Sequence, residues 1–426
     1  MTKRTRRVLF WLAVAVFVAA TPLIVSYARG YRLDISGLDL SRVGAIALET
    51  KPKEATVWLN EKKLPKSTPT VIRNLFPEKN YELRIEREGF WPWEKELEVE
   101  PELVTAVRNI VLFPLELKLA PAVSEAPVFN NFFLSPNAER VLGRETGGNV
   151  SLGTRLFFGD GLLASEVKNV HWSENGGRVV FNRVTYLGER WYVADTDGKL
   201  TYLNGLYETE LRINQPATKP LPRRFAAEEV LFSDAAGSKI TALIEGRLFV
   251  INLGDETISE LAVENVKAVD LRSGRLVIFK NPDIILVSKS SGEDLTLLGN
   301  FRFAPNNILI SPDGKKAAFW HNWHIGVFWL EDSADDGLFR KRGEQDIVFP
   351  SLSPIKRVRW HSSSQYLMAF LENGEFTVAE LDGRGGSHNA WTWDLPEITA
   401  FDYAAAKEEL WFLDSSGALL RHAEKF

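Results

Sequence analysis

The sequence contains no cysteine. That absence excludes disulfides, thiolate metal centres and cysteine nucleophiles, and it leaves the redox character of the compartment undetermined. An excess of positive charge is missing too. Fifty-one Lys and Arg stand against 56 Asp and Glu, a net charge of -5 with no basic stripe, so no nucleic-acid partner is expected. There is no Gly-x-Ser-x-Gly elbow, no phosphate-binding glycine loop and no His-Glu-x-x-His pair. We therefore expect neither an enzyme nor a bound cofactor or metal. What is present is globular in texture: 45% hydrophobic and 25% charged residues over 426 positions, enough for two or three folded units at roughly 150 residues per domain.

One long hydrophobic run stands apart. Lys3, Arg4, Arg6 and Arg7 precede VLFWLAVAVFVAATPLIVSYA, an uncharged run from Val8 to Ala28. At ~1.5 Å per residue it covers a ~30 Å hydrocarbon core. Basic residues stay on the cytoplasmic side, so residues 1–29 read as a basic tip and a single-pass signal-anchor in a bacterial cytoplasmic membrane, with the bulk of the chain extracytoplasmic. Arg29 and Arg32, with Tyr27 and Tyr31, mark the outer interface. A cleaved signal peptide is the rival reading, because Val18-Ala19-Ala20 offers small residues behind an apolar stretch.

After a linker at 30–43, residues 44–113 alternate with period two in Ala45–Glu49, Thr56–Leu59, Tyr81–Glu86 and Lys95–Val99, each bounded by turn residues. This pattern predicts a small all-β sandwich. Gly44, the Pro52 to Ala55 corner, the Val-x-Leu-Asn hairpin at 57–60, Thr68-Pro69, Gly89-Phe90 and Pro92-Trp93 resemble the PEGA domain family. That resemblance implies an envelope module that mediates contacts, with no catalytic residues. The chain departs from the family at Lys53-Glu54 and at two turn glycines, replaced by Glu61 and Asn80. Asn80 tolerates a left-handed conformation and Glu61 does not, so that hairpin is expected to be reshaped. Trp91 and Trp93, two apart, read as core packing with a sugar platform as the alternative.

From Pro114 to Phe426 the texture is repetitive. NNFFLSPNAERVLG, KNVHWSENGGRVVF, NNILISPDGKKAAFW and related stretches each place a Ser-, Asp- or Gly-rich turn between two apolar strands. Seven units over 114–426 give about 45 residues each, within the span of propeller blades. The Ser311-Pro312-Asp313-Gly314 and Ser135-Pro136-Asn137 turns resemble the TolB-like propeller repeat. The fold class is therefore all-β: an N-terminal transmembrane helix, a PEGA-like β-sandwich, then a β-propeller of about seven blades. Six or eight blades stay open. The last unit is one strand short, and 115–119 is expected to close it. The segment 204–226 reads as a rim insertion.

Asp195-Thr196-Asp197-Gly198 reads as a hairpin turn and 331–336 as an acidic loop, and neither carries a full metal-ligand set. The candidate binding surface is the loop His321, Asn322, Trp323 and His324, beside Trp320 and Trp329, with Tyr186 and Arg190 of an equivalent loop as helpers. Exposed aromatic and amide groups suit protein or glycan contact; an aromatic hairpin packed on the next blade is the alternative. The functional expectation is a membrane-anchored binding or scaffolding protein of the cell envelope, its partners the membrane through residues 8–28 and an envelope protein or cell-wall glycan. A hydrolase or lyase with a site in the propeller channel is the alternative, and the oligomeric state is not legible.

Overall fold

The computed structural model describes residues 3–28, 31–34, 39–77, 79–122, 128–145, 150–154, 162–164, 167–186, 188–208, 222, 224–272, 274–280, 283–287, 295–301, 303, 305–335 and 338–422. The chain divides into two compact units. The first is Met1–Leu115 with Ala334–Leu338 and Arg384–Ser387; the second is the remainder.

In the first unit an α-helix, Lys3–Ala28, carries Pro22 in its interior. Its segment Arg4–Tyr27 is long and apolar enough to cross a membrane. Just beyond it, Arg32 lies over the Tyr27 ring at 3.6 Å and donates to the Tyr27 carbonyl at 3.0 Å, while Arg29 lies outside the described residues. Two sheets follow. One orders Thr70–Leu75, Gly44–Lys51 and Val104–Val111, the last pair parallel; the other orders Lys62–Lys63, Thr56–Leu59, Asn80–Glu86 and Trp93–Glu98. Strict alternation of buried and exposed positions in Asn80–Glu86 and Trp93–Glu98 is the period-two signature of a half-buried sheet. Trp93 is 0% exposed, a core residue, whereas Trp91 precedes the strand and is half-buried. At the Pro52 corner, buried Thr68 accepts from the Ala55 N–H at 3.0 Å and shares a 2.6 Å hydrogen bond with buried Thr50.

The Glu61 expectation is overturned. Asn60 and Glu61 both adopt left-handed backbone, at φ 47° and 61°, giving a tight two-residue turn between Thr56–Leu59 and Lys62–Lys63. Asn80 instead begins a strand. The hairpin keeps its shape because Asn60 is locked from both sides: its N–H donates to Glu82 O at 2.8 Å and its side chain accepts from Glu82 N–H at 2.9 Å.

The second unit contains seven four-stranded antiparallel sheets among its described residues. Sheet I comprises Phe129–Leu134, Arg140–Glu145, Val150–Thr154 and Leu162–Ala164; sheet II, Val167–Trp172, Arg178–Thr185, Gly188–Asp195 and Leu200–Tyr202. Sheet III comprises Ala227–Phe232, Lys239–Ile244, Arg247–Asn252 and Thr257–Glu260; sheet IV, Ala268–Arg272, Arg275–Lys280, Asp283–Val287 and Leu295–Asn300. Sheet V comprises Asn307–Ile310, Lys316–His321, His324–Trp329 and Gln345–Pro350; sheet VI, Ile355–Trp360, Tyr366–Leu371, Glu375–Glu380 and Ala390–Asp394. Sheet VII holds Ile398–Ala404, Glu409–Asp414 and Leu419–His422, and takes its fourth strand from Leu119–Pro121.

That fourth strand corrects the expected 115–119. Leu115 is already committed, donating its N–H to Gly89 O at 2.9 Å beside the Phe90–Pro114 bridge, so pairing with the last strand starts only at Leu119. The expected insertion at 204–226 is described only in part: Leu203–Leu206 is a short helix, and 209–221 lie outside the described residues.

Each sheet packs on the next, and the last packs on the first. Leu142, Val170 and Phe181 join I to II; Trp191, Phe225 and Ile240 join II to III; Leu248 and Leu276 join III to IV; Phe279 and Phe319 join IV to V; Trp320 and Trp360 join V to VI. Phe376 meets Phe401 at 5.1 Å between VI and VII, and Phe132 with Trp411 closes VII on I.

The repeated turns explain why the repeats are visible. Ser135, Ser173 and Ser311 are buried, and each hydroxyl accepts the N–H that opens the next strand, from Arg140 at 2.9 Å, Arg178 at 2.9 Å and Lys316 at 3.0 Å. Each then donates to the Asn or Asp two residues on, at 2.6 to 2.8 Å. The same opening position also ties sheets together, for Arg178 reaches the turn carbonyl of Gly237 at 2.9 Å and Arg275 that of Gly314 at 2.6 Å.

Candidate functional site

The HNWH segment is a hairpin tip. Asn322 and Trp323 form the turn between Lys316–His321 and His324–Trp329, and His321 pairs directly opposite His324. The two imidazoles therefore share a face, 5.1 Å apart edge-to-face, and Phe303 covers them at 4.4 and 6.1 Å. His321 Nδ1 accepts the Trp323 N–H at 3.0 Å. The carbonyls of Asn322 and Trp323 accept from Ile355 N at 2.9 Å and Ser351 N at 2.8 Å, so the tip is held from both sides. The Trp323 ring remains 46% exposed, and Leu352, next to the residue that bonds it, is 100% exposed. Trp320 and Trp329 are core residues between sheets V and VI.

Tyr186 tips the hairpin of sheet II and is 96% exposed. Arg190 is half-buried, with its guanidinium 5.9 Å from the Tyr202 ring. Sheets III and IV come between sheet II and sheet V in the packing order. Of the six candidates, then, His321 and His324 pack, Asn322 and Trp323 face solvent, and Tyr186 and Arg190 lie elsewhere. Asp195 is a turn residue whose Oδ1 accepts the N–H groups of Asp197 and Lys199, at 3.0 and 2.9 Å. In the acidic loop Glu331 pairs with Arg275 at 2.6 Å and Asp332 accepts from Arg342 N, while Asp336 lies outside the described residues. No metal-ligating cluster occurs among the described residues.

A second charged set is assembled where sequence reading found none. First strands contact one another between sheets I and VII, II and III, III and IV, IV and V, and VI and VII, so they are the inner strands of the unit. Five of them carry a bulge near their start, between 129 and 131, 167 and 170, 227 and 229, 355 and 357, and 398 and 400. Beyond it, the third and fifth residues are polar in several sheets: Asn169 and His171, Glu229, Arg357 and Arg359, Asp402. His171 Nε2 meets Glu229 Oε1 at 2.7 Å between sheets II and III. Asp402 Oδ1 accepts Arg359 Nε at 2.6 Å and Tyr403 N–H at 3.0 Å, and Oδ2 accepts Leu134 N–H at 3.1 Å, with Arg357 at 3.9 Å. Burial works against the Asp402 charge, but Arg359, Arg357 and the donated N–H groups outweigh it and hold its carboxyl below the usual range. Asp270 in sheet IV makes the same kind of bond, to Ile310 N–H at 2.5 Å, yet burial without such a guanidinium partner pushes its carboxyl up.

These residues carry a sequence signal. Aligning the repeats on the residue that opens each turn, Ser135, Ser173, Ser233, His361 and Ala404, puts Asn131, Asn169, Glu229 and Arg357 at one position and Phe133, His171, Arg359 and Asp402 two further on.

Residues 43–112 match the PEGA domain family. No curated protein matches the chain. Among solved structures the chain is similar to the β-propeller domain of Cps50 (Swd1) from Myceliophteria thermophila, at 10% sequence identity and a TM-score of 0.50, covering 72% of this chain and 100% of that one. That likeness concerns fold alone. It is shared by 1513 solved chains, so it points to an architecture and to no ligand.

Proposed function

We propose that this chain is a membrane-anchored, extracytoplasmic binding or scaffolding protein of a bacterial envelope. In this reading the N-terminal helix is the anchor, the PEGA-like unit a contact module, and the seven sheets a seven-bladed propeller that presents the partner surface. The supporting observation is the Trp323 tip: apolar area in water, on a hairpin fixed by two cross-loop hydrogen bonds and adjoining fully exposed Leu352. A rigid exposed aromatic loses little entropy when a protein or glycan covers it. Replacing Trp323 with Ala should weaken partner co-purification from detergent-solubilised envelope by roughly thirtyfold, the equivalent of ~2 kcal/mol, with unchanged melting. Unchanged recovery together with a melting point several degrees lower would make Trp323 a packing residue. Protease added to intact spheroplasts should digest the body of the chain, and full protection would refute the topology.

The hydrolase or lyase alternative draws support from the His171–Glu229 pair, a base with an orienting carboxylate. It requires glycan- or peptide-cleaving activity that His171→Ala abolishes without lowering the melting point.

A further inference from the structure

We propose that the inner strands of sheets I, VI and VII form an oxyanion site that receives a carboxylate or phosphate group, held by Arg144, Arg357 and Arg359. Two guanidiniums, Arg357 and Arg359, meet one carboxylate there, Asp402, and Arg144 lies beside Arg357. Arg144 and Arg357 share the Phe133 ring, at 5.6 and 5.9 Å from its centroid, and Arg359 sits two residues beyond Arg357 on the same strand.

Asp402 has little left to give. Its oxygens are engaged by Arg359 and by the N–H groups of Tyr403 and Leu134. The other bonds of the arginines go to neutral acceptors. Arg357 donates to Phe401 O at 2.8 Å, Asn131 Oδ1 at 3.3 Å and Phe132 O at 3.5 Å, and Arg144 to Lys168 O at 2.5 Å. Arg144 Nε is buried and donates to nothing among the described residues. Among the described residues three guanidiniums thus share a single carboxylate in a partly desolvated layer, a costly arrangement that an anion relieves. Burial, reinforced by the neighbouring Arg359, brings the Arg357 guanidinium down to about 10, the direction an under-neutralised cation takes. Planar guanidinium forks match carboxylate and phosphate oxygens bidentately, and Arg359, about a third exposed, leaves an approach from solvent.

The site is separate from the Trp323 tip in sheet V, so either assignment can fail without the other. The test is calorimetric titration of the full chain in detergent, in a buffer free of both ions, with inorganic phosphate in one arm and acetate in the other. Saturable binding of either is expected; phosphate alone identifies a phosphate-bearing ligand, acetate alone a carboxylate. Arg144→Gln and Arg359→Gln should each weaken that binding by about tenfold or more, and Arg84→Gln, an exposed arginine of the first unit, should leave it unchanged. Arg144→Lys, which keeps the charge and the fold but loses the fork, should fall between. Absence of saturable binding in both arms overturns the proposal. So does binding that is equal in wild type and both glutamine variants, which would mark a general salt effect.

Discussion

Removing the Asp402 carboxylate should be among the most damaging single changes in the second unit. Asp402→Ala strands Arg359, whose Nε lies 2.6 Å from Oδ1, and leaves Arg357 with neutral acceptors only. Breaking a buried pair by deleting one partner costs about 3–5 kcal/mol. The Leu134 and Tyr403 N–H groups lose their side-chain acceptor as well, at about 1–3 kcal/mol each where no water replaces it. These terms overlap, so we expect about 4 kcal/mol, a fall of roughly 8 °C at ~2 °C per kcal/mol for a unit of this size. Asp402→Asn keeps one acceptor oxygen and should lose about half as much. Equilibrium urea unfolding of the full chain, followed by tryptophan fluorescence, reads both. Asp402→Ala/Arg359→Met, which removes both charges, should be less destabilised than the single alanine variant. If Asp402→Ala lies within about 1 kcal/mol of wild type, the inner-strand cluster is not buried in the energetic sense and the reasoning fails.

Acid should act on the two inner aspartates in opposite senses. Asp402, with its lowered value, contributes stability that is present above the ordinary ~3.9 and is lost as pH falls through the folded value; Asp270, with its raised value, contributes stability that is present below ~3.9 and is lost as pH rises through the folded value. Asp270→Asn should therefore flatten the decline on the rising side, and an unaltered stability–pH profile would contradict the assignment. Glu61→Gly should stabilise the first unit by about 1 kcal/mol, since Asn-Gly suits a turn with both central residues left-handed; a loss of stability would mean that Glu61 makes a compensating contact. A fragment beginning at Glu116 should unfold at higher urea than one beginning at Val123, which lacks Leu119–Pro121 and the Ala122 N–H bond to Leu419 O; equal midpoints would show that the fourth strand of sheet VII adds nothing.

Where one face of a strand is buried and the other wet, the sequence showed it, as in Tyr81–Glu86. Thr70–Leu75 and Val104–Val111 escaped because neither has a cleanly buried face: the first buries only Leu75 fully, and the second shifts register against Gly44–Lys51 between Leu48 and Thr50. The repeats were legible through turn chemistry, a serine closing a loop on an Asn or Asp. The fourth strand of sheet VII was read two to four residues early, because nothing local in Leu115 reports that its N–H is spent on Gly89. HNWH was legible as a hairpin tip, but the cover that Phe303 gives its histidines is a tertiary fact. The inner-strand cluster was hidden for the same reason: Leu134 and Asp402 meet across nearly the whole unit, and only position-by-position comparison of the repeats brings their neighbours into one column.

The strand Leu119–Pro121 also sets a timetable. Its partner Leu419–His422 leaves the ribosome about 300 residues later, an interval of about 15–60 s at 5–20 residues per second. Throughout that time the chain carries an unmatched ladder that a second nascent copy could claim. Its brevity and its terminal proline, which offers no N–H, make it a poor template for such pairing. Six sheets can therefore assemble while sheet VII waits for Leu419–His422, which makes completion of that sheet the step most exposed to misassembly during biogenesis.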